Sequence, residues 1–430
     1  MFTKTPTKMK TKLLIPLLLL LAVGAAAQTS KQVMYKDLNR AGAYYWNYPG
    51  PSQKALTPAP AGYEPFYISH HGRHGSRYMT DNGYYVYAIE KLDTAAQLGI
   101  LTPKGSQVLD VLRIGYADAR KRDGELSALG GRQHREIAHR MYERFPELLS
   151  QPMKVDARSS VYGRCMISMF YFCQELQGLN PGLEIRMDAS QRDMPSVIYD
   201  PKIKVEEAPG MPELEKQLES YMSKAFKSDR LIKSLFKDAG RARSFVDSDK
   251  LVECLYNVAA DLQDVPELNL SLWDVFTREE LFTIWEYCNG AILLSLGVIP
   301  GSTPEYLRQT RVLKSVIRNA DRAIAEGKPT LTLRFGHDSS VLPLAYLMGI
   351  KEAMGGRADF KNLYKYISLD KLIPMAANIQ MVFYRKDGSD DILVKFLMNE
   401  DETSIPVKTD VAPYYHWTDV RQYWEQRLGN

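Results

Sequence analysis

The sequence predicts an α/β protein in which helices flank a mostly parallel sheet and a mostly helical domain is inserted between the strands. Three short apolar segments each end in a polar cluster that is followed by a stretch with helical spacing. Strand-like runs are scarce in about residues 205–325, where apolar residues recur every three or four positions. Strands that alternate with helices are typical of a parallel α/β sheet, and the long helical stretch indicates an insert.

The first 27 residues have the three regions of a secretory signal peptide. Four lysines precede the apolar run Leu13–Val23, and the small residues Ala25–Ala27 offer a cleavage site before Gln28. The run is shorter than the ~20 residues that cross a bilayer, which argues against the alternative of a membrane anchor. We therefore expect residues 1–27 to be removed and the mature protein to be exported, periplasmic or secreted, with no membrane attachment.

The formal net charge of +4 comes from this predicted signal peptide. Without its four lysines the chain has equal numbers of basic and acidic residues, so a general affinity for nucleic acid is not supported. Any attraction for an anionic ligand must then be local. Residues 28–61, which are rich in Tyr, Pro and Ala, are predicted to form an extended N-terminal arm on the surface.

The first polar cluster follows the apolar run Phe66–Ile68 and places His74 between Arg73 and Arg77. Nearby positive charge disfavours a protonated imidazole, so His74 is expected to be a neutral nucleophile. The forked guanidinium groups match the oxygens of a phosphoryl group. Surface histidines or a metal cluster are the alternatives, but the sequence has no HExxH or CxxC pattern, so no metal is predicted.

Two further clusters have the same arrangement of strand, polar residues and helix. The strand-like run Met153–Ala157 leads to Arg158, and Arg164 opens a stretch with helical spacing. Thr330–Phe335 leads in the same way to His337 and Asp338. Because the carboxyl ends of parallel strands meet at one edge of a sheet, the three clusters are predicted to form a single site. Its candidate residues are Arg73, His74, Arg77, Arg158, Arg164, His337 and Asp338.

The helical stretch divides the predicted α/β domain into two segments. Leu214, Leu218 and Met222 recur at four-residue spacing, and Leu251–Leu262 has a similar pattern. Strand-like runs return at Thr330–Phe335 and continue at 379–384 and 392–397. We therefore predict a catalytic α/β domain made of residues 62–204 and 326–430, with a mostly helical insert at 205–325.

The four cysteines are only weak evidence for an oxidising compartment. Cys165 and Cys173 are eight residues apart on one predicted helix, a rise of about 12 Å at 1.5 Å per residue. Disulfides require Cα atoms within about 7 Å, so these two should not pair with each other. Pairing of either with Cys254 or Cys288 and free buried thiols remain as alternatives.

The combination of Arg73-His74-Gly75-x-Arg77, a later Arg164 and a late His337-Asp338 resembles the histidine acid phosphatases, branch 2 of the histidine phosphatase superfamily. That family includes phytases, acid phosphatases and multiple inositol polyphosphate phosphatases, and the resemblance extends from about Tyr63 to the end of the chain. It implies a phosphoglycerate-mutase-like core and no cofactor. It further implies His74 as nucleophile, Arg73, Arg77, Arg164 and His337 as phosphate ligands, Asp338 as proton donor, and Arg158 as a supporting ligand.

The sequence departs from the family pattern at two places. Met79 stands where many members have proline, and Tyr78 matches the inositol polyphosphate branch. That branch, however, has His-Ala-Glu where this chain has His337-Asp338. The motifs are thus mixed between branches, which affects substrate choice more than chemistry.

These observations predict a secreted phosphatase that acts on small-molecule phosphate monoesters through a phosphohistidine intermediate. Inositol polyphosphates such as phytate are the expected substrates, and a broad-specificity acid phosphatase or sugar phosphatase is the alternative. A phosphoglycerate-mutase-like transferase and a non-enzymatic phosphoester-binding protein are further alternatives. To donate a proton, Asp338 must begin protonated, which requires either an acidic medium or a raised pKa.

Overall fold

A computed structural model describes residues 30–429 of the chain. The predicted signal peptide lies outside this range. Among the described residues, no helix combines the length and the apolar character needed to cross a membrane.

The described strands form one central sheet in the order β3-β2-β4-β1-β5-β6-β7, with β8 paired to β6. The pairings from β3 to β1 are parallel, and the pairings from β1 onward are antiparallel. The α/β class is confirmed, with an antiparallel half more extensive than the sequence predicted. The strands are β1 (Tyr63–Arg73), β2 (Met153–Ser159), β3 (Leu183–Asp188), β4 (Thr330–Gly336), β5 (Asn378–Lys386), β6 (Ile392–Met398), β7 (Asp401–Thr403) and β8 (Tyr414–His416).

Helices cover the sheet and make up the region between β3 and β4. They are α1 (Ser30–Lys36), α2 (Gly83–Gln97), α3 (Pro103–Ala119), α4 (Ala128–Arg144), α5 (Pro146–Leu149), α6 (Gly163–Leu179), α7 (Met194–Val197), α8 (Met211–Ala225), α9 (Asp229–Leu235), α10 (Ala239–Ala242), α11 (Ser248–Leu262), α12 (Arg278–Ser295), α13 (Thr310–Glu326), α14 (Asp338–Met348), α15 (Leu369–Leu372) and α16 (Trp417–Arg427). Short 3-10 helices include Leu38–Tyr45, Glu305–Gln309 and Phe360–Lys365.

The burial of each strand explains its sequence pattern. The last eight residues of β1 are all buried, as are nearly all of β4, β5 and β6. Strands covered on both faces have continuous apolar runs rather than alternation. In β2 the residues at 153, 155 and 157 are buried while the intervening ones border a polar cleft, so that strand alternates.

Two hydrophobic clusters lie on opposite faces of the sheet. One contains Ile137 of α4 and Phe172 of α6 packed with Leu333 of β4. The other joins the helical region to the sheet, since Trp285 of α12 and Phe383 of β5 belong to the same cluster. The predicted division of the chain into an α/β domain and an insert remains a prediction, because the helices and the sheet share this core.

The N-terminal segment differs from the extended surface arm that its composition predicts. Residues 30–36 form α1, a 3-10 helix follows at Leu38–Tyr45, and Ala41, Ala43 and Tyr45 are buried. This segment fills the space between the helical region and the end of β1, where Trp46 O accepts a hydrogen bond from Met375 N–H at 2.8 Å. Tertiary contacts give it a fold that the sequence does not signal.

The cysteines resolve the alternatives that the sequence left open. Cys165 and Cys173 both lie on α6, as predicted, and all four cysteines of the chain are free thiols. Burial raises the pKa of Cys165 and of Cys173 to about 12, so neither thiol ionises near neutral pH.

Candidate active site

The three predicted clusters meet at the carboxyl edge of three neighbouring parallel strands. Because β4 lies between β1 and β2, Arg73 is opposite Gly336 and Ser159 is opposite Phe335. The His74 N–H donates to Gly336 O at 2.9 Å, so the loop after β1 is held against the end of β4. The predicted convergence of these strand ends is found in the structure.

A cavity of about 270 Å³ opens at this edge. Its polar lining comes from the predicted residues His74, Arg77, Arg164, His337 and Asp338. Its other lining residues are Tyr162, Met194, Ile198, Tyr199 and Ser339. The cavity therefore has a polar base and a rim that includes tyrosines and aliphatic side chains.

His74 is held in one tautomer by the backbone carbonyl of the next residue. Its Nδ1 lies 2.9 Å from Gly75 O, and because a carbonyl only accepts, the proton belongs on Nδ1 and Nε2 keeps a free lone pair. Burial, followed by the charges of Arg73 and other neighbours, holds the pKa of His74 well below its usual range. Position 75 needs glycine because a Cβ there would lie 2.5 Å from Gly130 O. His74 is thus a neutral imidazole with Nε2 available for attack.

Arg73 lies behind the cavity and is completely buried. Its Nη1 donates to Tyr44 O and, at 2.8 Å, to Ile373 O. Its Nη2 lies 2.8 Å from Asp338 Oδ2. These partners come from the N-terminal segment, from the end of α15 and from the start of α14, so the guanidinium is fixed before any ligand arrives.

Arg77 enters the cavity from the loop after β1. Its Nη1 donates to Tyr78 O at 3.0 Å, and its guanidinium stacks 4.9 Å from the centre of the Tyr45 ring. Burial would lower its pKa, but Tyr45 and Asp261 more than offset burial and the pKa is raised. The buried Nε has no hydrogen-bond partner among residues 30–429, so it is a donor that an anion could satisfy.

Arg164 is the second residue of α6 and approaches from the opposite side. Its guanidinium lies 5.1 Å from the Tyr162 ring centre, and Nη2 is 3.5 Å from His337 Nδ1. Within the described part of the chain its buried Nε also lacks a hydrogen-bond partner. Arg77 and Arg164 therefore each have an N–H group without a partner among residues 30–429 on this cavity, and their role as anion ligands remains a prediction.

His337 precedes α14 as its N-cap residue. Its Nδ1 faces the Arg164 guanidinium, which only donates, so Nδ1 accepts and Nε2 carries the proton toward Ser160 Oγ at 3.2 Å. Burial and then Arg164 lower the pKa of His337 to about 4. The ring is therefore neutral in the free protein at neutral pH.

Asp338 opens α14, and its Oδ1 accepts the Ser339 N–H at 2.7 Å. Burial would raise the pKa of Asp338, but Arg73 and His337 outweigh burial and hold the pKa below its usual range. Of the two routes to a protonated Asp338 that the sequence allowed, the raised pKa is thus wrong for the free protein. Protonation of Asp338 therefore needs an acidic medium, or a bound anion that competes for Arg73 and so raises the pKa of Asp338.

The structure places Arg158 outside this cavity. Its guanidinium pairs with Asp156 and Asp193, and it lines a different cleft together with Lys154 and Arg186. Asp193 directly precedes α7, whose residue Met194 lines the cavity. Arg158 therefore holds a wall of the cavity in place without facing its interior.

The sequence did not show where the histidines next to His74 lie or which other side chains border the cavity. His70 is buried between Phe172 and Phe335, and burial lowers the pKa of His71 to about 3. The metal-cluster alternative is not supported. Among the described residues, no three or more His, Cys, Asp or Glu side chains are grouped so that they could hold a metal ion. Tyr162 and Tyr199 line the rim of the cavity, but no sequence motif marks them as site residues.

Solved structures show which known proteins this architecture is similar to. Multiple inositol polyphosphate phosphatase from Bifidobacterium longum, in its apo form, is 18% identical with a TM-score of 0.74, over 90% of this chain and 97% of that chain. The phytase from D. castellii is 17% identical with a TM-score of 0.69, over 91% and 86%. The Hafnia alvei phytase in complex with tartrate is 14% identical with a TM-score of 0.56, over 86% and 98%.

No protein-family model and no curated protein matches the sequence. At these identities the structural similarity establishes the fold, which is that of the histidine acid phosphatases. More particularly, it is the fold of the multiple inositol polyphosphate phosphatase and the phytases named above. The family resemblance seen in the sequence is therefore confirmed at the level of the fold.

Proposed function

We propose that the protein is a histidine acid phosphatase that hydrolyses phosphate monoesters through a phosphohistidine intermediate. The observation that carries this proposal is the position of the His74 Nε2 lone pair, inside a cavity that also presents the free N–H groups of Arg77 and Arg164. A nucleophile, anion ligands and a carboxyl group on one cavity are the parts that phosphoryl transfer needs.

In the first step His74 Nε2 attacks the phosphorus in line, and the bond from phosphorus to the ester oxygen breaks. Asp338 gives its proton to the departing oxygen, so an alcohol leaves and a phosphohistidine forms. The arginines offset the charge on the equatorial oxygens. In the second step a water attacks the phosphorus, Asp338 takes the proton of that water, and phosphate and free His74 are released.

The two low pKa values suit this chemistry in acid. Burial and the arginines keep His74 neutral at a pH where an ordinary histidine is protonated, so the nucleophile survives in the acidic range that Asp338 requires. A phosphoryl dianion that binds Arg73 would weaken the Arg73–Asp338 pair and favour protonation of Asp338. Activity should therefore be highest at acidic pH.

For the substrate we propose inositol polyphosphates such as phytate. The support is the similarity to phytases and to the Bifidobacterium longum multiple inositol polyphosphate phosphatase, which was also solved with inositol hexasulfate. A second candidate is broader monoester or sugar phosphate hydrolysis, because Tyr162, Ile198 and Tyr199 at the rim suit the face of a ring. Product profiling of phytate beside simple sugar phosphates distinguishes the two candidates.

The experiment that tests the chemistry traps the intermediate. Turnover of radiolabelled phosphate monoester is stopped by denaturation without acid, and the expected result is an alkali-stable phosphoryl group on the His74 peptide. His74→Ala should remove both the label and the activity, while His139→Ala, which changes an exposed histidine on α4, should keep both. A fully active His74→Ala protein would exclude this mechanism and leave the anion-binding alternative.

We propose further that the protein acts outside the cytoplasm, in the periplasm or as a secreted enzyme. The support is the lysine-rich start, the apolar run and the small residues before Gln28. Intact-mass measurement of protein from the cell envelope or the medium should give a chain that begins at or near Gln28. Recovery of the full-length chain from the cytoplasm would contradict the proposal.

A further inference from the structure

Two buried aspartates of the helical region lie beside the cavity arginines and have no part in the chemistry proposed above. Asp261, in the last turn of α11, is 1% exposed, and Asp264, just beyond that helix, is 0% exposed. The Asp264 N–H donates to Asp261 O at 2.8 Å, so one tight turn carries both residues. Asp261 Oδ1 lies 3.9 Å from Arg77 Nη1.

Neither carboxyl group has the hydrogen bonds that a buried carboxylate needs. The Met79 N–H and the Ser76 hydroxyl face Asp261 and Asp264, but no described residue gives their oxygens a hydrogen bond of normal geometry. A buried carboxylate without donors is costly, and two neighbouring carboxyl groups reduce that cost by holding a proton. Burial accordingly raises the pKa of Asp261 to about 7, and burial together with Asp261 raises that of Asp264 well above its usual range.

We propose that Asp261 and Asp264 are positioning residues that form a proton-sharing carboxyl pair, whose charge sets how strongly Arg77 attracts an anion. In acid the pair is protonated and Arg77 keeps nearly its whole charge for the ligand. As the pH rises the pair loses protons, and negative charge appears beside Arg77. The inference rests on the proposed function in taking that ligand to be the phosphoryl group, but it concerns anion binding and needs no turnover.

The groups that face the pair from neighbouring elements do not account for a titration near neutral pH. They are Arg73 from the end of β1, Arg77 from the loop that follows, where it stacks on Tyr45, and Tyr85 from α2. Arginine stays protonated in proteins, and burial raises the pKa of Tyr85 well above its usual range. In the cavity itself, burial keeps His74 and His337 neutral over the same interval.

The test measures binding of inorganic sulfate, whose own charge is constant across the interval, by calorimetry between about pH 6 and pH 8.5. A unit charge that appears beside an arginine at an effective permittivity of about 20 should weaken sulfate binding by roughly tenfold. Asp261→Asn and Asp264→Asn should each flatten this pH dependence. Because both single variants are made, a folding failure of one leaves the other to decide.

Glu286→Gln is the matched control. Glu286 is another buried carboxyl group of the helical region, its pKa is raised to about 7 by burial, and its partner is Tyr221. This variant should keep the wild-type pH dependence of sulfate binding. The proposed pair would be refuted if both aspartate variants kept the wild-type pH dependence of sulfate binding. It would also be refuted if Glu286→Gln flattened that dependence equally. Hydrolysis of p-nitrophenyl phosphate is measured on the same samples, and its absence alongside pH-dependent sulfate binding would reject the proposed function and keep the pair.

Discussion

Replacing Asp338 with Asn should separate two effects of this carboxyl group, on turnover and on anion binding. Asn keeps the size of the side chain and the acceptor oxygen for the Ser339 N–H, but it removes both the acid and the charge that pairs with Arg73. We expect Asp338→Asn to lower the hydrolysis of alkyl phosphates strongly and at the same time to tighten the binding of inorganic phosphate.

The size of the effect on turnover follows from general-acid chemistry, and the size of the effect on phosphate binding follows from the geometry at Asp338. A general acid contributes about 10²- to 10⁴-fold, and it matters most for an alkoxide, which leaves poorly, and little for p-nitrophenolate. The Asp338 carboxylate lines the cavity and lies 2.8 Å from Arg73, the guanidinium that we propose binds phosphate as well. Unit charges 4 Å apart interact with about 1 kcal/mol in water and about 4 kcal/mol at an effective permittivity of 20. Even the lower value corresponds to about fivefold tighter phosphate binding.

The assay compares kcat/KM on glycerol phosphate and on p-nitrophenyl phosphate, together with the inhibition constant of inorganic phosphate. Asp370→Asn is the matched control, since the Asp370 carboxyl group also pairs with an arginine, Arg40 at 2.9 Å, but does not line the cavity. Equal losses on both substrates with unchanged phosphate inhibition would refute the reasoning, and another carboxyl group would then have to be the proton donor.

Two further predictions concern an arginine outside the cavity and a carboxylate far from it. Arg158→Ala should keep kcat/KM within about fivefold, because that guanidinium already binds two carboxylates, whereas Arg164→Ala should lose about 10²- to 10³-fold. Burial opposes ionisation of Glu402, but hydrogen bonds from Lys395 and other neighbours hold its pKa at about 2. The resulting stability, about 2 kcal/mol, is present above pH 4.5 and is lost as the pH falls toward 2; urea unfolding should show this fall in the wild type and not in Glu402→Gln.

The sequence predicted the part of the fold that depends on local pattern. Each of β1, β2 and β4 contains buried apolar residues and leads into polar residues of the candidate site or its surroundings, and α6 and α14 begin soon after their strands. The polar residues lie where strands lead into helices, so the same residues indicate both the ends of the elements and the position of the candidate site. For this reason the sequence alone is enough to group Arg73, His74, Arg77, Arg164, His337 and Asp338.

What the sequence did not reveal depends on contacts between distant segments. The Tyr, Pro and Ala content of the N-terminal segment indicates an extended arm, and only contacts with distant partners such as Arg73 and Met375 bury it. Asp261 at the end of a helix has the pattern of a solvated residue, and only the fold brings it to Arg77. Arg158 has the position of a phosphate ligand, but the alternation of β2 directs it into a neighbouring cleft.

The order of strands also has a consequence for how the chain matures. β4 lies between β1 and β2 in the sheet, yet it is made long after both of them, and it carries His337 and Asp338 on the turn that follows it. β2 can pair with β3, which follows it closely, but both partners of β1, the strands β4 and β5, lie far along the chain. Such distant contacts form slowly. A chain interrupted before α14 holds the proposed nucleophile His74 without the proposed acid Asp338. The proposed active site is therefore completed late, when β4 is inserted between β1 and β2.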